Sequence, residues 1–199
     1  MLLAIDTATA ACSVALIAAD GRLLAEAHEI VGRGHAERLV PMIAELTAAR
    51  RVSRIAVGCG PGSFTGIRVG IAAARGLALG WGVPLTGVSS LALIAASADE
   101  NVAVAIAGGH GELFVQRFAA GPLRAVAPMA ALTPAAAAAA VPERLVLGSG
   151  AEALVAARGH GEARAAWPRA SDVTRLAGDF ANLPPRPIYG RAPDAKPAA

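Results

Sequence analysis

The apolar positions of this chain repeat first every second residue and then every third or fourth, and the change of period marks out its elements. Residues 2–5 form a short apolar run closed by Asp6, which predicts a buried strand. Thr7-Ala8-Thr9-Ala10 reads as a turn, residues 12–18 as a second strand, Asp20-Gly21 as a hairpin signal and Leu23–Ile30 as a third strand. Three strands joined by tight turns predict an antiparallel meander. The period then changes: Leu39, Met42, Ile43 and Leu46 alternate with Glu37, Arg38 and Glu45, which predicts an amphipathic helix. Pro41 fits that helix if it begins near Glu37 or Arg38, where first-turn amides lack partners anyway. Residues 55–58 predict a strand, 58–63 a glycine loop, and the next stretch a helix to about Gly80. Residues 85–88 predict another strand, and Ser89 or Ser90 caps a third helix ending near Ala98.

After Asp99-Glu100-Asn101 the pattern restarts with strands at 102–106 and 113–118, and a third near 124–127. Residues 133–141 read as a short helix with Pro134 in its first turn, or as a loose linker. Residues 145–147 read as a strand, followed by Gly148-Ser149-Gly150 and a helix through Ala157. Little periodicity survives in 158–186, and the tail from Ala192 reads as disordered.

Composition narrows the possibilities. A chain of 199 residues with 55% hydrophobic positions has one large or two small domains and too much apolar material for disorder. Mean hydropathy is +0.51, but much of it comes from 51 alanines. The uncharged run 76–98 could span a bilayer by length, yet Gly80, Gly82, Pro84 and Gly87 break its middle, so no membrane span is expected. The chain opens without a basic region and meets Asp6 early, which is not the pattern of a secretory signal. Cys12 and Cys59 lack CxxC spacing and suit a reduced, cytoplasmic setting. One lysine, Lys196, stands against 17 arginines, so a Walker lysine, a Schiff base and a lysine general base have no core candidate. The arginines are scattered except for Arg50, Arg51 and Arg54, and this basic balance reads more simply as genome bias than as a nucleic-acid stripe.

Candidate chemistry lies in three places. Asp6, at the end of a buried strand, is costly unless it binds something, and Thr7 and Thr9 add hydroxyls. Asp-Thr-x-Thr in a first hairpin is how actin-like ATPases place an acid near the nucleotide's metal; the plain alternative is an Asx cap of the next turn. Second, the loop 58–63 opens a helix but matches neither a Walker nor a dinucleotide-binding pattern. On that helix, positions 62, 66, 70, 74 and 78 are Gly, Gly, Gly, Ala and Ala, a one-face stripe that allows close backbone approach. It fits either the chain's own sheet or a partner's helix, and the partner is the favoured reading. Third, His35 and Glu37 precede the first helix, but Leu39 removes a His-x-x-x-His metal pair. No Ser-His-Asp set or nucleophile elbow can be assembled around Ser63.

Asp6-Thr-Ala-Thr-Ala-Ala-Cys-Ser-Val-Ala-Leu16, Gly32-Arg-Gly-His-Ala-Glu-Arg-Leu39 and Gly60-Pro-Gly-Ser-Phe-Thr-Gly-Ile-Arg-Val-Gly70 together resemble the bacterial TsaB (YeaZ) family, as does the ending Pro187-Ile-Tyr-Gly-Arg-Ala-Pro-Asp-Ala-Lys196. The likeness is dense over the first hundred residues and the last dozen, and thin from about 120 to 185. It implies an α/β protein of the actin-like ATPase (ASKHA) fold, with two RNase H-like lobes of mixed sheets. Residues 1–98 would form the first lobe with the partner interface, 99–186 a reduced second lobe, and 187–199 would return to the first lobe or be disordered. It implies a non-catalytic scaffold and activator subunit of the complex that forms N6-threonylcarbamoyladenosine at position 37 of ANN-decoding tRNAs. TsaD would be the heterodimer partner and TsaE a further subunit, tRNA would be reached only through the complex, and a homodimer could use the same helices.

The interface so implied comprises His35, Glu37, Arg38 and Met42 on the first helix, and Ser63, Thr65, Gly66, Ile67, Gly70, Ile71, Ala74 and Ala78 on the second. No catalytic residue, metal or cofactor is implied, with weak ATP or ADP binding left open through a vestigial site of Asp6, Thr7, Thr9, Gly148, Ser149 and Gly150. Two departures favour a non-catalytic role. The metal motif of TsaD-like members is broken at Leu39. The stretch where a second-lobe acid is common reads Ala107-Gly108-Gly109-His110. The rival readings are a stand-alone ASKHA ATPase or sugar kinase, a TsaD-like metalloprotease and a direct tRNA-binding module.

Overall fold

A computed structural model of the chain describes residues 1–48, 50–176 and 178–191, so the expected tail from Ala192, with Lys196, lies outside the described residues. The structure is mixed α/β with two sheets. In the first, β1 (Leu2–Asp6), β2 (Ala11–Ile17) and β3 (Leu23–Ile30) form the expected meander. β4 (Arg54–Gly58) and β5 (Leu85–Val88) continue it in parallel, giving the order β3-β2-β1-β4-β5. β1 and β2 are buried along their whole length, which is why they read as continuous apolar runs.

α1 (His35–Thr47) and α2 (Phe64–Trp81) pack on one face of this sheet around Leu3, Ile5, Leu39, Met42, Ile67 and Ile71. α1 begins earlier than the proline suggested. Gly34 takes the left-handed conformation at φ 95°, and the first helical residue is His35, so Pro41 falls inside the helix. Having no amide, it cannot donate to the Glu37 carbonyl four residues back, which lies on the exposed side of the helix where water can supply the bond. Ser63 and Ser89 cap α2 and α3 (Ser90–Ala95), accepting from the amides of Gly66 and Ala92. α3 ends three residues short of the expected Ala98.

The second sheet has the order β11-β10-β6-β7-β8. The hairpin of β6 (Val102–Gly109) and β7 (Glu112–Ala119) carries short flanking strands β8 (Arg124–Ala125) and β9 (Ala130–Leu132). The alanine run is a helix, α4 (Pro134–Ala140), capped by Thr133, and not a linker. β10 (Leu145–Leu147) runs parallel to β6, α5 (Ala151–Arg158) follows, and β11 (Glu162–Arg164) closes the edge. The aperiodic segment then forms a 3-10 helix (Ala170–Arg175) and α6 (Gly178–Ala181). The 3-10 helix crosses back onto the first sheet, where the Ala170 amide donates to Ser13 Oγ at 2.8 Å. No described helix is long and apolar enough to cross a membrane.

Candidate functional site

Asp6 sits at the carboxyl end of β1, completely buried. The Ala8 amide donates to its Oδ1 at 2.9 Å, the Asx turn expected as the plain alternative. Its Oδ2 accepts from Ser90 Oγ at 2.6 Å, and the Gly60 amide donates to that same hydroxyl. Burial pushes the carboxyl up to about 6, against the opposing pull of Ser90, Ala8 and His35. Gly58 covers it closely: a Cβ there would collide with the carboxylate. Thr7 is equally committed, donating to the Gly66 carbonyl at 2.7 Å, and Thr9 accepts from the Ala11 amide.

The small-residue stripe of α2 lies against this same turn. A Cβ at Gly62 would strike the Ala8 carbonyl, one at Gly66 the Thr7 carbonyl, and one at Gly70 the Thr7 hydroxyl. The expectation that the stripe serves a partner is therefore corrected. The helix spends its glycines on its own sheet, because the strand-to-turn backbone runs directly beneath it. Gly66, Ile67, Gly70, Ile71 and Ala74 are buried. His35 and Met42 are buried on α1, and His35 Nε2 lies 2.9 Å from the Thr9 carbonyl and 3.3 Å from that of Ala11. These seven buried residues pack within the lobe and present nothing outward. Of the expected interface set, Glu37, Ser63 and Thr65 are exposed, and Arg38 and Ala78 are half-buried. Arg38 is bound to Glu29 through both Nε and an NH2 nitrogen.

The outward surface holds residues the sequence reading passed over. Val40 on α1 and Leu79 on α2 are 61% and 86% exposed, and Ala72 and Gly76 lie open beside Thr65 on the outer side of α2. The helical period could have found them, as the face opposite the stripe.

Between the two sheets is a cleft of about 830 Å³. Thr9 and Ser149 line it, but Asp6, Thr7, Gly148 and Gly150 do not. The vestigial nucleotide set is thus only partly assembled. Asp6 and Thr7 are sealed beneath the turn, and Gly148 and Gly150 are pressed against β6 and Leu113. Four of the seven aromatic residues, Phe64, Phe114, Trp167 and Tyr189, face this cleft from separate parts of the chain. Phe64 and Tyr189 stack at 5.3 Å, and the Arg68 guanidinium lies 3.5 Å over the Phe64 ring while donating to Tyr189 Oη. Among the described lining residues the one full charge is Arg191, which pairs with Glu112. No group of three His, Cys, Asp or Glu among the described residues could hold a metal.

Two sheets, each opening with an antiparallel hairpin and extended by parallel strands across a cleft, define an actin-like ATPase (ASKHA) fold. The family model of TsaD, tRNA N6-adenosine threonylcarbamoyltransferase, matches residues 27–146. The tRNA threonylcarbamoyladenosine biosynthesis protein TsaB of Escherichia coli is 43% identical over 123 residues, 57% of this chain and 52% of that protein. The match therefore spans about half the length of that relative. An uncharacterized protein of Mycobacterium tuberculosis is 35% identical over 205 residues, covering 100% of this chain and 95% of its own. The solved structure of YeaZ from Pseudomonas aeruginosa superposes with a TM-score of 0.80 at 33% identity, covering 94% of this chain and 98% of that one. The chain belongs to the TsaB/YeaZ family.

Proposed function

We propose that this chain is a non-catalytic subunit of the assembly that forms N6-threonylcarbamoyladenosine at position 37 of ANN-decoding tRNAs. The observation that carries this reading is the cleft. Where an ATPase of this fold needs carboxylates around a metal, no Asp or Glu is among the described lining residues, and Asp6 is spent on the Ala8 amide and Ser90. The names of the TsaB relatives and the TsaD family model support the pathway.

In this reading a TsaD subunit docks on the outer faces of α1 and α2. Glu37, Arg38, Ser63, Thr65 and Ala78 would take part, joined by Val40, Ala72, Gly76 and Leu79. Small and apolar exposed positions suit close helix–helix contact, and a second copy of the chain could use the same face. TsaE would join through the assembled pair. Thr9 and Ser149 leave room for weak ATP or ADP binding without hydrolysis.

The test is co-purification with a TsaD subunit together with a tRNA modification assay. Ala72→Arg with Leu79→Asp should abolish both while the isolated chain keeps its melting temperature, since neither side chain is buried. Turnover of Mg-ATP by the isolated chain would overturn the non-catalytic assignment. Undiminished assembly by the double variant would overturn the docking face.

A further inference from the structure

At the opposite end of the first lobe from the cleft, the carboxyl ends of α1 and α2 meet the loop leading into β4. They enclose a second cavity of about 810 Å³, lined by Thr47, Arg50, Arg51, Ser53 and Trp81 among others. Arg50, Arg51 and Arg54 form the densest run of arginine in the chain, and all three are exposed. Several arginines elsewhere are ion-paired: Arg38 with Glu29, Arg144 with Glu162, Arg169 with Glu26, Arg175 with Asp99. Arg51 and Arg54 have no hydrogen-bond or ion-pair partner among the described residues. Arg50 gives one guanidinium nitrogen to the Leu46 carbonyl at the end of α1 and has no carboxylate partner among the described residues. The nearest acid along α1, Glu45, faces Arg38 at 3.5 Å.

Into this cationic corner the fold places Trp81, the last residue of α2, with 41% of its surface exposed. A large apolar ring kept in water costs stability, and here it lines the same cavity as two guanidinium groups. That pairing has a defined chemical complement: an anionic backbone for the arginines and a flat, unstacked ring for the indole.

We propose that the Arg50–Arg51–Trp81 corner is a direct contact for RNA, taking backbone phosphates on Arg50 and Arg51, with Arg54 adding to the field, and stacking one unpaired base on Trp81. This departs from the view that the chain reaches tRNA only through its partners. The identity of the RNA as tRNA rests on the function proposed above, whereas the contact itself rests on the corner alone.

The test measures anisotropy of a labelled 12-nucleotide single-stranded RNA and of an unmodified tRNA transcript with the full chain, from 50 to 300 mM salt. Arg50→Glu with Arg51→Glu should weaken binding at least tenfold at low salt. It should also lower the log–log salt slope by about 1.4, two phosphates at about 0.7 each for single strands. Trp81→Ala should weaken binding about fivefold or more, since a stacked base contributes about 1–3 kcal/mol. In a Trp167→Phe background the remaining Trp81 emission should be quenched by RNA. The charge-matched pair Arg124→Glu with Arg186→Glu, at exposed positions elsewhere, should change affinity about twofold at most. Equal losses in the two charge-reversed pairs would reduce the effect to net charge and overturn the site. So would binding of a polyglutamate peptide as tight as that of RNA with unchanged Trp81 emission, which would make the corner a protein contact. Because the free chain is measured, failure here leaves the TsaD co-purification result standing, and failure of co-purification leaves this result standing.

Discussion

The two sheets follow one plan and end in opposite states. β1 and β6 each pair antiparallel with the next strand and parallel with a later one, and each later strand leads into a glycine loop and a helix. In the first lobe the loop after β4 closes on the end of β1. The Ser63 amide donates to the Ala8 carbonyl, and an 18-residue helix lies on the turn. In the second, the Gly150 amide donates to the Ala105 carbonyl, but α5 has only 8 residues, and the end of β6 is Gly108-Gly109, which line the cleft. One lobe buries its acid under its own helix, and none of the other lobe's described residues that line the cleft is an Asp or Glu.

The sealed end should break most easily. Gly66→Val would drive a branched side chain into the Thr7 carbonyl, beneath a turn that cannot retreat because Asp6 and Thr7 fix it. The expected loss is about 3 kcal/mol or more, above the ordinary range for overpacking, because the obstacle is backbone. Urea unfolding measures it. The counterpart, Gly148→Ala, meets the Ala105 carbonyl at φ +118° and should cost a comparable amount. A Gly66→Val protein with unchanged midpoint would remove the close-packed stripe.

Asp6→Asn probes the same end through pH. Burial pushes this carboxyl up to about 6 in the folded protein, above its ordinary value of about 3.8, so folding favours the protonated form. Its contribution is fully present below about 3.8 and is lost as pH rises through about 6. Asparagine keeps the acceptor for the Ala8 amide and carries no charge. The variant should therefore gain on the parent between pH 4 and pH 8 by about 3 kcal/mol, the two-unit shift converted at 1.36 kcal/mol per unit. A difference in stability that stays flat across that range would show the carboxylate to be solvated.

Charge pairing differs between the lobes as well. Arg117 on β7 binds both oxygens of Glu143 at 2.8 and 3.0 Å, and the glutamate side chain is 8% exposed. Glu143→Gln should cost about 1–3 kcal/mol, because the guanidinium keeps its place but loses a charged acceptor. The first-lobe pair Arg38–Glu29 is more open, at 35% and 40%, and Glu29→Gln should cost less than about 1 kcal/mol. Thermal unfolding at low and high salt separates them: the exposed pair alone should fade with salt.

The strands and helices of the first lobe were readable because each buries a face against its sequence neighbours, so period and burial coincide. The Gly62–Ala78 stripe was equally readable as a pattern, but its target was not. Spacing of four says that something approaches closely, and the chain's own Thr7–Ala8 backbone meets that requirement as well as a partner would. Asp6 left two readings open because its second hydrogen-bond donor, Ser90, lies 84 positions away. Residues 158–186 gave no signal because their order comes from distant contacts, such as the Ala170 amide on Ser13 and Ser171 on Glu26. The aromatic cleft was invisible for the same reason: its four rings come from four stretches of chain.

The smallest effect sharpens the contrast between the two faces of α2. Gly76 lies on the outer face, in the helix interior, with nothing within 4 Å of where its Cβ would stand. A glycine there costs the helix about 1 kcal/mol relative to alanine and returns nothing to the isolated chain. Gly76→Ala should therefore stabilise the free protein by about 0.5–1 kcal/mol, read as a rise in melting temperature, where alanine at Gly66 destabilises it. If the proposed partner approaches this face closely, the same methyl should weaken co-purification with TsaD even as it stabilises the subunit. Stability and assembly would then move in opposite directions, which no position on the inner stripe can do.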